Sequence, residues 1–227
     1  MAATGRRSAS SGTRAKASRL DRAQVVDAAK RIAEGGIDAL TMSALAAELG
    51  VTPMAAYRHV RNREHLVALV LDSALSEVEV PPGGRWTVRL RTLHTAIVDA
   101  LDRYPGLFFA VPADAHPPLD NATRLLEGYL AILLDGGFSE EHAALAYTGL
   151  YYLAVGVVIH HARYGDPSPL SMGMPKTEAE TRVSILDRFD EVTPSAASYR
   201  TFALDVYING LEGVLRAQRR SAAQTAR

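Results

Sequence analysis

The chain has 227 residues, no cysteine, and 25 basic against 25 acidic side chains. This length suits one large domain or a small domain joined to a larger one, and a hydrophobic share of 48% can build a substantial core. The lack of cysteine excludes a disulfide scaffold, a thiolate metal site and a cysteine nucleophile. The first twenty residues are basic, small and serine-rich rather than apolar, so no signal peptide is predicted and the expected location is the cytoplasm.

The zero net charge conceals an uneven distribution. Residues 1–70 hold eleven Lys and Arg against six Asp and Glu, a net charge of +5, and the rest of the chain is −5. Such asymmetry indicates that the basic part meets a polyanion, although a basic tail beside an ordinary domain would give the same numbers.

Four short helices are predicted in the basic part, after an arm of small and basic residues. Capping side chains and an N-terminal proline mark their starts, at Asp21, Thr41, Thr52-Pro53 and Asn62. The first two end at Gly35-Gly36 and Gly50, and the fourth extends to Val80 before a break at Pro81-Pro82-Gly83-Gly84.

Beyond the break, no stretch alternates with the period of a strand, so the predicted class is all-α. Helices are expected near residues 85–103, 105–110, 119–135, 139–164, 177–190 and 195–219. Ala143–Ile159 has no charged residue and approaches the length of a membrane span. Its tyrosines and glycines, with His160 and His161 next, favour the buried helix of a soluble bundle instead.

Residues 41–60 have the layout of a helix-turn-helix, with a tight turn at Gly50 and an apolar plug at Val51. The second helix, 53–60, mixes polar and apolar residues in a way that core packing would not choose. Tyr57, Arg58 and His59 can donate to phosphates or base edges. An ordinary helical hairpin is the alternative, but the local positive charge favours DNA binding.

This segment resembles the DNA-binding domain of the TetR family, on the pattern LTM..LA..LGV....AYRHV.N...L, and GLYYLAVGVVIHHARYG and FALDVYINGLEGVL extend a weaker resemblance to the C-terminus. The resemblance implies a three-helix helix-turn-helix domain followed by a larger helical domain for ligand binding and dimerisation. It implies DNA contacts from Met42, Ser43, Pro53, Met54, Ala55, Tyr57, Arg58, His59 and Arg63. Arg58 and Ser43 differ from the family's namesake, so the operator sequence is expected to differ as well.

The expected organisation follows from these boundaries. A flexible basic arm covers 1–18, the helix-turn-helix domain 19–66, the ligand-binding and dimerisation domain 67–219, and a tail 220–227. The last long helix has two apolar stripes, one of Leu204, Ile208, Leu211 and Leu215 and one of Phe202, Val206, Gly210, Gly213 and Val214. Two stripes need two covering surfaces, which favours a homodimer over burial within one subunit.

A ligand pocket is expected among aromatic residues of the second domain, from Leu107-Phe108-Phe109 and Tyr129, Tyr147, Tyr151 and Tyr152. Together with positions implied by the resemblance, the predicted ligand-binding set is Glu79, Leu93, His94, Ile97, Leu101, His116, Tyr129, Tyr152 and His160. The polar ligands that hold magnesium and tetracycline in the namesake are not matched, which argues against that inducer. No metal or other cofactor is predicted, since adjacent histidines on a helix point about 100° apart.

The sequence therefore predicts a cytoplasmic homodimer that binds a palindromic operator as double-stranded DNA and is released by a small molecule. A dimeric DNA-binding regulator that uses no ligand is the first alternative. An all-α enzyme is the second, although no nucleophile elbow, phosphate-binding glycine loop or metalloprotease motif occurs.

Overall fold

The computed structural model describes residues 20–111, 119–165 and 195–225. These residues form eight α-helices and no strand, so the predicted all-α class is confirmed. The basic arm, His116 and the predicted helix 177–190 lie outside the described residues.

The N-terminal helices begin at the predicted capping residues. Helix α1 spans Arg22–Ala33, α2 Met42–Glu48, α3 Pro53–Ala56 and α4 Arg63–Ser76. Asp21 and Gln24 form a capping box at α1, and the side chains of Thr41, Thr52 and Asn62 accept bonds from the first turns of the next three helices. Helix α3 is shorter than predicted and continues as turns, and α4 ends four residues before the predicted Val80.

The turn between α2 and α3 is closed by backbone hydrogen bonds. Gly50 has φ +64, and its N–H donates to the carbonyl of Ala47 while the N–H of Val51 donates to Ala46. This pair of bonds is a Schellman motif, which needs the left-handed residue that glycine supplies most easily. It fixes the angle at which α3 leaves α2.

The C-terminal helices are α5 Trp86–Asp102, α6 Asp120–Asp135, α7 Glu140–Tyr164 and α8 Ala196–Thr225, with a short 3-10 segment at Leu107–Ala110. Helix α8 runs six residues past the predicted 219, so most of the predicted tail at 220–227 is helical. The other described helices begin and end within a few residues of the predicted boundaries.

Helix α4 joins the two parts of the chain. It packs against α1 on one side and against α5 and α6 on the other. Leu66, Val67, Val70 and Leu71 are buried in a single hydrophobic core that extends from Val25 in α1 to Leu215 in α8. The predicted domain boundary at 66/67 falls within this unbroken helix. A movement of α4 would therefore displace residues of both predicted domains.

Helix α7 is long and apolar enough to cross a membrane by length and composition. It packs on α5, α6 and α8 through one face that includes Ala146, Leu150 and Val158. Only 22% of its most apolar window is buried, so the predicted burial holds for one face and not for the other. The outer face of α7 is therefore left largely uncovered by the residues that the structure describes.

Candidate DNA interface and ligand cavity

The predicted recognition helix is anchored in the hydrophobic core on one side and exposed to solvent on the other. Ala56 and Val60 are fully buried and anchor α3 and the following turn in the core. Met54 is 73% exposed, and Tyr57 and Arg58 are also exposed. Apolar side chains that stay in solvent beside a tyrosine and an arginine suit a surface that meets base edges and phosphates.

The other predicted DNA contacts are less uniform. Pro53 and Ser43 are exposed, and Ala55 and His59 are half-buried. Met42 is half-buried and packs against the hydrophobic core, so it contributes less to the outer surface than the resemblance implied. The DNA contacts of the nine positions stay predictions.

The side chain of Arg63 forms hydrogen bonds within the protein. Its Nε donates to the carbonyl of Leu40 at 2.9 Å, and its Nη2 donates to the carbonyl of Ile37 at 2.9 Å. These bonds tie the first turn of α4 to the segment before α2. The predicted DNA-backbone contact of Arg63 therefore competes with a structural role, whereas the neighbouring Arg61 is exposed.

Replacing Arg63 with Ala is expected to lower the free energy of unfolding by about 2 kcal/mol, because two carbonyls lose charge-assisted bonds. Arg61→Ala is the matched control and should change stability by less than about 0.5 kcal/mol. Chemical denaturation measures both. An Arg63→Ala protein of unchanged stability that binds DNA with a reduced salt dependence would restore the predicted phosphate contact.

The second domain contains a cavity of about 220 Å³ between α4, α5, α6 and α7. Aliphatic and aromatic side chains form its wall: Leu71, Leu75, Ile97, Leu101, Phe108, Leu119, Ala122, Leu125, Leu126, Tyr129, Tyr147, Leu150, Tyr151, Ala154, Val155 and Val158. The tyrosine hydroxyls are the polar side-chain groups of this set. Such a site can bind a largely apolar molecule and orient it with a few hydrogen bonds.

The cavity contains three of the nine predicted ligand residues, Ile97, Leu101 and Tyr129. Glu79, Tyr152 and His160 are not among the wall residues that the structure describes, and their ligand contacts stay predictions. Glu79 is exposed in the segment after α4, and Tyr152 points outward one residue after the cavity residue Tyr151. Leu93 is fully buried in the core, and His116 lies outside the described residues.

Aromatic composition was the better guide to this cavity. Of the seven residues in the set predicted from the sequence, Phe108, Tyr129, Tyr147 and Tyr151 are in the wall, whereas Leu107, Phe109 and Tyr152 are not. Leu71 and Leu75 of α4 were missed, because their spacing is also that of ordinary core positions. Only the tertiary arrangement shows that they face a space rather than a neighbouring side chain.

His94 lies behind the wall. Its Nδ1 is 3.1 Å from the hydroxyl of Tyr129, and both side chains are buried. Burial lowers the pKa of His94 to about 4, and burial also raises the pKa of Tyr129. At neutral pH this pair is uncharged, and one hydrogen bond joins the wall residue Tyr129 to His94.

Contacts between the two parts of the chain converge on the ends of α4 and α5. The N–H of Ile37 donates to the carbonyl of Pro105, and Lys30 of α1 pairs with Glu77 after α4 at 2.8 Å. Gly106 has φ +82, and a Cβ there would come within 2.8 Å of Ile37. Since the adjacent 3-10 segment includes the cavity residue Phe108, the cavity wall and the helix-turn-helix domain are directly linked.

The outer faces of α7 and α8 are apolar. Phe202, Val206 and Val214 are exposed on α8, as are Leu145 and Tyr152 on α7. The other stripe of α8, Leu204, Ile208, Leu211 and Leu215, is buried as predicted. Tyr207 fixes the two helices, since its hydroxyl donates to the carbonyl of Ala146 at 3.0 Å.

Two protein-family models match nearly all of this framework. The model of bacterial regulatory proteins of the tetR family matches residues 25–70, which hold the helix-turn-helix. The model of the tetracyclin repressor-like C-terminal domain matches residues 80–215, which hold most of the cavity wall. The chain belongs to the TetR family of bacterial regulatory proteins. As a TetR-family protein it is a transcriptional regulator, and family membership gives no support to the enzyme alternative.

Individual relatives agree with this assignment. The class D tetracycline repressor protein of Escherichia coli is 28% identical over 154 residues, covering 64% of this chain and 68% of the relative. Apo ActR from Streptomyces coelicolor shares the fold with a TM-score of 0.71 at 23% identity, covering 88% and 99% of the two chains. BioQ with its double-stranded DNA operator shares it with a TM-score of 0.61 at 23% identity, covering 85% and 98%.

In this TetR-family chain, Arg58 is exposed in the turn that directly follows α3. Arg58→Ala is expected to reduce operator affinity by about 1–3 kcal/mol, because a bidentate contact to a base edge would be lost. Gel-shift titration on a duplex selected by the wild-type protein measures the change. An equal reduction on a scrambled duplex would assign Arg58 to the phosphates, and unchanged binding would remove it from the interface.

Proposed function

We propose that this regulator is a cytoplasmic homodimeric repressor that binds a palindromic operator and leaves it when a small molecule fills the cavity. The supporting observation is the position of α4. Leu71 and Leu75 in its C-terminal half line the cavity, and Arg63 at its first turn holds the carbonyls of Ile37 and Leu40 before the helix-turn-helix.

The operator contact is assigned to the exposed side chains of α2 and α3. The helix-turn-helix places its second helix in the major groove, and a two-fold dimer presents two such helices to half-sites about one helical turn apart. BioQ, which shares this fold, has been solved on its operator. The proposed division is a DNA-binding domain over 19–66 and a ligand-binding and dimerisation domain over 67–219, joined within α4.

Ligand release is assigned to a displacement of α4. A molecule that presses on Leu71 and Leu75 favours a different position of this helix, and the bonds of Arg63 transmit the change to the segment before α2. A ligand shifts the equilibrium only by its difference in affinity for the two positions. ActR, another structural relative, has been solved in complex with actinorhodin.

The dimer is assigned to the outer faces of α7 and α8. Their exposed apolar residues belong to neighbouring helices that already pack together, so two copies can form a four-helix interface. Gly156 and Gly210 have open space where a Cβ would stand, which allows a partner helix to approach closely.

The test is a gel shift with a duplex chosen by repeated selection from a random pool. Specific binding should show two-fold symmetry in the selected sequence and should weaken steeply with salt as phosphate contacts release counterions. A selected pool without a palindrome, or binding equal to that of random DNA at every salt concentration, would overturn the repressor assignment.

The alternative of a regulator without a ligand is decided by a variant that fills the cavity. Ala122 contributes a small side chain to the wall, whereas Ala131 of the same helix is exposed. If the cavity has no role, Ala122→Trp and Ala131→Trp should bind operator alike. A change confined to Ala122→Trp supports coupling between the cavity and the DNA-binding domain.

A further inference from the structure

The part of the cavity wall that the structure describes carries no formal charge. Its sixteen side chains are aliphatic or aromatic, and no Asp, Glu, Lys, Arg or His is among them. A charged molecule that entered would leave water without a counter-ion, at a cost far above that of a neutral polar group. The wall therefore selects against charge as well as in favour of apolar surface.

Two charged residues adjacent in sequence to the wall form hydrogen bonds within the protein. Asp72, next to Leu71, accepts two hydrogen bonds from Asn121, each of 2.9 Å. Arg124, next to Leu125, donates to the carbonyls of Leu75 and Val78. These groups fasten α4 to α6 and already have partners that a ligand would have to displace.

Polar recognition is left to the tyrosines. The hydroxyl of Tyr129 shares one hydrogen bond with His94 Nδ1, and the direction of that bond depends on the histidine tautomer. With the proton on Tyr129, the phenol oxygen can accept from a ligand hydroxyl. With the proton on His94 Nδ1, the phenol can donate to a ligand carbonyl.

The aromatic rings give the cavity its shape. Tyr129 and Tyr147 lie 5.6 Å apart between ring centroids, and Phe108 and Tyr151 lie 6.0 Å apart. Each pair is tilted rather than parallel, which presents ring faces and edges to the space between the helices. Such walls contact flat rings over a large area.

We propose that the ligand of this cavity is an uncharged, mainly apolar ring compound with one or two hydroxyl or carbonyl groups, bound without a metal ion, and that Tyr129 with His94 behind it reads its polar group. This inference rests on the proposed function and specifies the chemical class that the same site takes. A carboxylate or imidazole that would hold a metal-chelated ligand is absent from the described wall.

The test uses two fluorescent probes with the same skeleton. N-phenyl-1-naphthylamine is neutral, and 1-anilinonaphthalene-8-sulfonate is its sulfonated counterpart. Titration of the full chain should give a Kd for the neutral probe at least about tenfold lower than for the anion. Ala122→Trp should raise the Kd of the neutral probe by about tenfold or more, whereas Ala131→Trp should leave that Kd within about twofold of the wild-type value.

A charge placed in the wall provides the second test. Leu126 lines the cavity, and Leu134 of the same helix is exposed, so Leu126→Lys has a matched control in Leu134→Lys. Leu126→Lys should reverse the preference in favour of the anionic probe, and Leu134→Lys should not. Thermal unfolding of each variant identifies any that fails to fold. Because Ala122→Trp and Leu126→Lys change different wall positions, one still tests the inference if the other does not fold.

The outcomes separate this inference from the proposed function. An anionic probe that binds as tightly as the neutral one, with the same sensitivity to Ala122→Trp, would overturn the uncharged class. Neutral-probe binding that Ala122→Trp does not affect would place the ligand elsewhere and would also overturn it. If the probes behave as expected but no cavity ligand changes operator binding, the ligand class stands and the release mechanism fails.

Discussion

Val206→Glu is expected to convert the dimer into monomers and to reduce operator affinity by about a hundredfold or more. Val206 is 54% exposed in the middle of the outer face of α8. In the proposed four-helix interface the carboxylate of the introduced glutamate would be desolvated. Two-fold symmetry would also bring the two introduced charges near one another. A monomer contacts one half-site and loses the gain from simultaneous binding.

Val88→Glu is the matched control for this prediction. Val88 is 57% exposed on α5, so the same substitution is made at an equally accessible valine of a different helix. Analytical ultracentrifugation and gel shift on the same samples measure mass and operator affinity. A Val206→Glu protein that remains dimeric would move the interface to another surface. Dissociation caused equally by Val88→Glu would show that the effect is not specific to α8.

Acidification is expected to destabilise the protein by about 3 kcal/mol between pH 7 and pH 4 through His94 alone. Burial depresses the folded-state pKa of His94 from 6.5 to about 4, so the unfolded chain binds the proton more readily in this interval. The free energy of unfolding has its full value above pH 6.5. It decreases as the pH falls, and the decrease levels off below about pH 4. Urea unfolding at a series of pH values measures it.

The control for His94 must avoid leaving its partner unsatisfied. In the double variant His94→Leu with Tyr129→Phe, both members of the buried hydrogen bond are removed together, which costs less than removing one. This variant should lack the steep loss between pH 6.5 and 4. His65 still adds a loss of the same sign, because partial burial, with Arg61 and Arg22 nearby, lowers its pKa. An unchanged pH profile in the double variant would contradict the assignment to His94.

Local signals explain why so much of the helical framework was predictable. Asp21, Thr41, Thr52 and Asn62 each cap the helix that they were predicted to start, since a capping side chain acts on backbone two or three residues away. Gly50 likewise ends α2 by a conformation that it can adopt without strain. The two stripes of α8 separated into a buried and an exposed face because helical periodicity alone determines which residues share a side.

The ligand site was less predictable because it depends on the angle and register of packed helices. Tyr151 and Tyr152 are adjacent and chemically identical, and both are partly exposed, yet only Tyr151 lines the cavity. A rotation of about 100° per residue separates them, and the sequence does not determine which direction faces α6. Arg63 shows the same limit, because its acceptors Ile37 and Leu40 lie more than twenty residues earlier in the chain.

The continuity of α4, from Arg63 beside the DNA-binding segment to Leu75 in the cavity wall, also affects how sensitive the switch is in a cell. Linkage between two sites is reciprocal, so the factor by which a ligand weakens operator binding equals the factor by which the operator weakens ligand binding. A hundredfold effect corresponds to about 2.7 kcal/mol in both directions. Regulator molecules already seated on a promoter would therefore respond at higher ligand concentrations than free ones, and surplus free regulator would act as a ligand buffer that delays derepression.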